Sequence, residues 1–252
     1  MTTVDLNADL AEGFGAYRCG DDAAMLQIVT SANVACGLHA GDPEIMAQAF
    51  SIARERGVAV GAHPGFPDLW GFGRRRIPFS TGEIERLVAY QIGAAAALAN
   101  YAGHRITYVK PHGALGNISC EERPVADAIA RAIKAVDPGL ALLGTALTAQ
   151  VAAGEAAGLR VHQEIFADRG YTEEGQLVGR HLPGAMITDA AEAAERVVAM
   201  VQEGALITLS GRRLPTGIDS ICVHGDSDHA VATARAVRAA LEQAGIRIAA
   251  FR

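Results

Sequence analysis

The sequence predicts an α/β fold, a single-domain seven-stranded (β/α) barrel over residues 1–252. Three observations lead there. Short apolar runs alternate with longer stretches of helical periodicity from end to end. Half of the residues are hydrophobic and a fifth are charged, ample material for one large core. The 252 residues carry no linker, repeat or break in composition, and at that length a (β/α) barrel closes as one unit. A doubly wound open sheet would alternate in the same way, and periodicity alone does not separate the two.

Taken in order, the strand-like runs are 4–6, 32–35, 58–62, 106–109, 140–143, 160–164 and 220–223. Helical spacing of apolar residues covers 43–56, 81–102, 123–136, 190–203 and 230–244. Pro43, after Gly41-Asp42, is a favourable first helical residue. Gly57, Gly103, Gly204 and Gly245 stand where left-handed helix ends are expected. Residues 206–214 read as a small hairpin around Ser210-Gly211.

A formal net charge of -6 without a basic stripe argues against nucleic acid and against an anionic membrane surface as partners. No run approaches the ~18 apolar residues of a membrane span. The start, Met1-Thr2-Thr3-Val4-Asp5, lacks the basic and apolar regions of a signal peptide. Cys19, Cys36, Cys120 and Cys222 form no Cys-x-x-Cys pair, and the cysteines in strand-like runs read as reduced, buried thiols. The expectation is a cytoplasmic protein.

Chemically able side chains follow six of the seven strand runs. Asn7, Asp9 and Glu12 come with the first, and Asn33, His39 and Asp42 with the second. The third is followed by His63 and Asp68, the fourth by Lys110-Pro111-His112. The sixth ends in Glu164 and Asp168, the seventh in His224-Gly225-Asp226. In parallel α/β folds these strand ends share one face, so the set converges on an active site. Solvated loops would explain any one position, but not the whole set.

Lys110 stands out because twenty of the 22 basic residues are arginine. A lysine ending an apolar strand suggests a need for a compact ammonium, which when desolvated can exchange a proton as a guanidinium cannot. His39, His63, His112 and His224 each adjoin glycine or proline or follow a strand, and suit acid–base work or metal binding. Which of them is catalytic the sequence leaves open. A metal, if held, would take Asp9, His39 and His63, although no short zinc motif is present. Arg74-Arg75-Arg76 either grips a carboxylate or phosphate or is a solvated charge run. Cys36 reads as a buried strand thiol rather than a nucleophile. No phosphate loop of the Gly-x-x-x-x-Gly-Lys-Ser/Thr type exists.

Several of these segments resemble the LamB/YcsF family. They are Asn7-Ala8-Asp9-Leu10-Ala11-Glu12-Gly13-Phe14-Gly15, Asn33-Val34-Ala35-Cys36-Gly37-Leu38-His39-Ala40-Gly41-Asp42-Pro43 and Gly61-Ala62-His63-Pro64-Gly65. Val109-Lys110-Pro111-His112-Gly113-Ala114-Leu115, Phe166-Ala167-Asp168-Arg169 and Cys222-Val223-His224-Gly225-Asp226 complete the set in the same order. The resemblance implies a polysaccharide-deacetylase-like barrel and the A subunit of an ATP-dependent 5-oxoprolinase. Such an enzyme opens the lactam of 5-oxo-L-proline to L-glutamate while ATP goes to ADP and phosphate. It works with two partners, the B and C subunits, and self-association is left open. Two departures are visible: Ala11 stands where the family usually has glycine, and Gly116 where tyrosine is common.

On this reading Asp9 or His112 activates water, Lys110 stabilises the oxyanion, and His39, His63 and His224 shape the pocket or move protons. Asn7, Glu12, Asn33, Asp42, Arg74, Glu164, Asp168 and Asp226 are expected to contact the substrate. ATP, a co-substrate, is expected to be handled largely by the partners, since this chain lacks a phosphate loop. Two alternatives remain: a stand-alone metal-dependent deacetylase or amidohydrolase, and a non-catalytic subunit that binds substrate.

Overall fold

The computed structural model describes residues 2–226 and 229–251. Seven parallel strands form the sheet: β1 (Thr3–Leu10), β2 (Ser31–Ala35), β3 (Ala59–His63), β4 (Ile106–Val109), β5 (Ala141–Thr145), β6 (Val161–Phe166) and β9 (Ser220–Val223). They pair in chain order, and β9 then pairs with β1 through Leu6↔Ile221 and Asn7↔Cys222. That last ladder closes the sheet and decides between barrel and open sheet in favour of the barrel. Between β6 and β9 the chain makes the antiparallel hairpin of β7 (Ala205–Ile207) and β8 (Arg213–Pro215), turning at the expected place. A short β10 (Arg247–Ile248) lies on the edge of β1.

Eight helices clothe the barrel among the described residues: α1 (Asp22–Met25), α2 (Pro43–Arg56), α3 (Thr81–Tyr101), α4 (Gly113–Glu121), α5 (Arg123–Val136), α6 (Ala149–Ala156), α7 (Ala190–Glu203) and α8 (Ala230–Gln243). Their ends follow local chemistry. The α3 start is a capping box in which Ser80 and Glu83 satisfy each other's backbone N–H. Asp42 and Asp189 cap α2 and α7, and Gly57 and Gly204 end those helices with positive φ. None of the helices is long and apolar enough to cross a membrane.

The two faces of the sheet differ. Val4, Leu6, Ala8 and Leu10 of β1 join the large apolar core beneath the helices. The alternate residues Asp5, Asn7 and Asp9 point the other way, and all three are buried. Register places Asn33 beside Asp9 and Gly61 beside Asn33, so the barrel interior is a stack of polar side chains. At the start of the strands, Asp5 accepts hydrogen bonds from Thr30, Ser31 and Ser220. A small apolar cluster of Tyr108, Ala141 and Leu143 with Phe251 packs beside this polar stack.

Candidate active site

At the C-terminal end of the barrel lies a cavity of about 270 Å³, whose lining includes Asp9, Lys110, Glu164, Phe166, His63 and His224. Its centre is Lys110. The ammonium donates to Asp9 Oδ1 at 2.8 Å and lies 3.3 Å from Glu164 Oε2 and 2.9 Å from Cys222 Sγ. Burial disfavours the charge, but Asp9, with Cys222 and Glu164 behind it, raises the lysine well above its ordinary range. Lys110 is therefore a fixed positive charge rather than the proton exchanger that desolvation alone would make it.

A relay of side chains sets this geometry. Gly61 has no side chain because the Tyr108 ring covers it; a Cβ there would sit 2.4 Å from the ring. Tyr108 Oη donates to Asn33 Oδ1 at 2.7 Å, fixing the amide so that its Nδ2 donates to Asp9 at 2.8 Å and to Asn7 at 2.7 Å. Asn7 in turn reaches Ser220 at 2.8 Å and Glu164 at 3.4 Å. Asn7 and Asn33, expected as substrate contacts, thus position the carboxylates from beneath and are not among the residues that line the cavity.

The carboxylates divide by environment. Burial alone would raise Asp9, but His63 and Lys110 hold it well below the usual range. Glu164 goes the other way: burial, only partly offset by Lys110, pushes it up to about 7. A carboxyl near neutrality that lines a cavity is suited to give a proton as well as to take one.

His224 forms a second feature. Its Nδ1 lies 2.8 Å from Asp168 Oδ2 and its ring stacks on Phe166, with centroids 5.2 Å apart. The Lys110 ammonium sits 5.1 Å from the centroid of that Phe166 ring. With Nδ1–H donated to Asp168, Nε2 keeps its lone pair, 3.4 Å from Arg180 Nη2, the arrangement of a histidine held as general base by a carboxylate. His112 is less free: Nε2 lies 2.8 Å from the Phe72 carbonyl and Nδ1 3.0 Å from His63 Nε2.

At the cavity wall, which His63 and His112 help to form, Glu12, His39, His63 and His112 bring one ligand atom each within 4.8 Å of one another. This set differs from the Asp9, His39 and His63 expected for a metal. Asp9 Oδ1 is held by Lys110 and Asn33 while its Oδ2 lies 3.4 Å from His63 Nε2, and Glu12, after the turn at Ala11 with φ 59°, supplies the carboxylate nearest His112 and His39.

Other expectations are redistributed. Asp42 faces away from the cavity and spends its oxygens on the backbone N–H groups of Glu44, Ile45 and Gly15. The arginine run is neither free nor merely solvated: Arg74 pairs with Asp226 at 2.6 Å, Arg75 with Asp68, and Arg76 with Glu122 at 2.6 Å. Asp226 lies at the mouth as the anchor of Arg74, which lines the cavity. Cys36 is buried and its thiol pushed up to about 12, as a strand thiol should be. Arg169, the last residue of the Phe166–Arg169 segment, and Arg180, which nothing in the sequence pattern singles out, also line the cavity. Arg169 is buried and gives its N–H groups to the carbonyls of Ala185 and Val178. Burial and Arg180 lower it to about 10. Both lie in the long segment between β6 and α7, where no strand end marks Arg180.

A sequence model described as the LamB/YcsF family matches residues 4–252. The chain belongs to the LamB/YcsF family. Within it, a relative from Azorhizobium caulinodans, named as the A subunit of 5-oxoprolinase, is 67% identical over 251 residues, covering 100% of this chain and 99% of its own. The crystal structure of the lactam utilization protein from Thermus thermophilus is 47% identical, with a TM-score of 0.93 and full coverage of both chains. The catalytic domain of a peptidoglycan N-acetylglucosamine deacetylase from Eubacterium rectale shares the barrel at a TM-score of 0.54 and 11% identity, covering 100% of this chain and 89% of its own. The barrel is thus shared with that deacetylase domain as a fold, and the relatives carry the names of a 5-oxoprolinase A subunit and a lactam utilization protein.

Proposed function

We propose that this chain is the lactam-opening component of an ATP-dependent 5-oxoprolinase. The observation that carries the reading is a buried ammonium, Lys110, flanked by a low carboxylate, Asp9, and a raised one, Glu164, in a small cavity. A five-membered lactam is a stabilised amide. Its opening needs activated water, a donor for the developing oxyanion and a proton for the departing nitrogen.

The chain has a group for each. His224, held by Asp168, takes the proton of the attacking water as oxygen adds to the lactam carbonyl carbon. Lys110 donates to the carbonyl oxygen as it gains charge. Glu164 in its acid form protonates the nitrogen as the C–N bond breaks, leaving an amino group and a carboxylate, as in glutamate. This assignment prefers His224 to Asp9 or His112 as base, because Asp9 is held low and His112 has close partners on both nitrogens, whereas His224 Nε2 has only a long contact, 3.4 Å, to Arg180. Arg180, which lines the cavity, suits the substrate's own carboxylate. ATP enters as co-substrate with the partner B and C subunits, consistent with the lack of a phosphate loop.

The test is glutamate release from 5-oxoproline and ATP, with this chain alone and with its candidate partners. Release only in the mixture is the expected outcome. No release from folded, assembled partners would overturn the reading and favour a metal-dependent amidohydrolase acting on another substrate, a reading that the Glu12, His63 and His112 cluster keeps open.

A further inference from the structure

Among the described residues, the three atoms His63 Nε2, His112 Nδ1 and Glu12 Oε1 form a triangle with edges of 3.0, 3.2 and 4.0 Å. The opposite nitrogens of both rings face backbone carbonyls. His63 Nδ1 lies 2.7 Å from the oxygen of Lys110, and His112 Nε2 lies 2.8 Å from the oxygen of Phe72. A carbonyl only accepts, so each of those nitrogens carries the hydrogen, and in a neutral ring the other keeps a lone pair. Two nitrogen lone pairs and a carboxylate oxygen therefore converge on one buried point. Such a set repels itself unless a cation lies between its members.

We propose that this point is a binding site for a divalent transition metal, with Glu12, His63 and His112 as its ligands. The edges match the ~3.3 Å separation of donors around a tetrahedral ion with bonds of about 2.0 to 2.1 Å. The rings of His63 and His112 are nearly perpendicular, at 85°, so their lone pairs meet. His39 is different. Its ring is parallel to that of His112, at 6° with centroids 3.7 Å apart, so its nitrogen cannot converge with the other two. His39 Nε2 instead lies 3.2 Å from Glu12 Oε1 and orients that carboxylate as an outer partner.

Charge supports a dication. In this buried layer the carboxylates of Asp9 and Glu12 face the single ammonium of Lys110. The backbone also leaves room for the rings: a Cβ on Gly73 would lie 2.7 Å from His39 Cβ and 2.8 Å from His112 Cδ2. Two imidazoles with one carboxylate favour ions of zinc type over magnesium, which prefers oxygen donors and water. A dication there would polarise a water or a carbonyl oxygen presented from the cavity. The inference does not rest on the lactam reading, because metal binding needs neither partner nor substrate.

The experiment uses the full chain, stripped with chelator and titrated with Zn²⁺, Co²⁺ and Mg²⁺. Metal content, the visible absorption of Co²⁺ and the thermal midpoint are read together. Expected are about one equivalent of Zn²⁺ or Co²⁺, a tetrahedral-type Co²⁺ spectrum, a raised midpoint and no response to Mg²⁺. Glu12→Gln and His112→Asn should abolish the Co²⁺ spectrum, and His39→Gln should weaken affinity on the order of 10- to 100-fold. His104→Ala, a histidine bound to the Val58 carbonyl away from the cluster, should change nothing. Wild-type chain that takes up no Zn²⁺ or Co²⁺ would overturn the site and leave a proton between His63 and His112. So would binding that Glu12→Gln and His112→Asn both leave intact.

Discussion

Lys110 holds two carboxylates that would otherwise be buried together without a counter-charge, so its removal should be felt twice. On the proposed chemistry, Lys110→Ala lowers turnover on the order of a hundredfold or more in the assembled enzyme, as for loss of an oxyanion donor. It also lowers the thermal midpoint, because breaking a buried ion pair costs about 3 to 5 kcal/mol. Lys110→Arg separates the two: it restores charge and much of the stability but not turnover, since a planar fork cannot replace a compact ammonium. Wild-type rates in Lys110→Ala would remove the residue from the reaction. Glu164 gives a prediction in pH. Its carboxyl is raised from 4.5 to about 7, so between those values the folded chain keeps a proton that the unfolded chain has released. Stability therefore falls as pH rises through that window, and Glu164→Gln should flatten the slope of thermal midpoint against pH. An unchanged slope in the variant would place the raised carboxyl elsewhere. Both residues are legible in the sequence as polar side chains at strand ends. The Glu12, His63 and His112 triangle is not, because its members belong to the ends of three different strands and depend on the αL turn at Ala11.

Helix ends are the most readable elements, since their signals are local. The bounds of α2, α5 and α7 coincide with the periodic stretches, and Gly57, Gly103, Gly204 and Gly245 all adopt positive φ. Helices α4 and α6 are hidden for the opposite reason. Each is short, contains glycine and starts without a side-chain cap, so neither periodicity nor capping announces it. Asp42 shows how a local signal can be misassigned: a carboxylate after a strand suggests substrate contact, yet it closes the first turn of α2 and ties down Gly15. Asp42→Ala should thus cost about 1 kcal/mol of stability while leaving, on the proposed function, KM for 5-oxoproline unchanged in the assembled enzyme. A large rise in KM at unchanged stability would restore the substrate-binding role.

For the molecule as a whole, the decisive contact is the β1–β9 ladder, which no periodicity reveals because it joins the first strand to the last of the barrel. The alternation of Asp5, Asn7 and Asp9 with Val4, Leu6, Ala8 and Leu10 does announce a strand with one apolar and one polar face. Combined with closure, it places polar groups inside the barrel, where an ordinary (β/α) barrel packs branched apolar side chains. Those groups must satisfy one another, and at the start of the strands that duty falls on Asp5. It binds Thr30 and Ser31 on one side of β1 and Ser220 on the other, pinning both ladders that flank the seam. Burial raises its carboxyl from the ordinary value, with Ser220, Ser31 and Thr30 opposing. Asp5→Ala strands these hydroxyls, each worth about 1 to 3 kcal/mol when left buried without a partner. The expected result is a marked fall in the urea midpoint, with the Co²⁺ spectrum of the folded variant retained if the proposed metal site exists. Asp5→Asn, which keeps an acceptor, should recover part of the loss. If Asp5→Ala unfolds at the wild-type urea concentration, the seam is held by the backbone ladder and apolar packing alone, and the polar interior serves the site rather than closure.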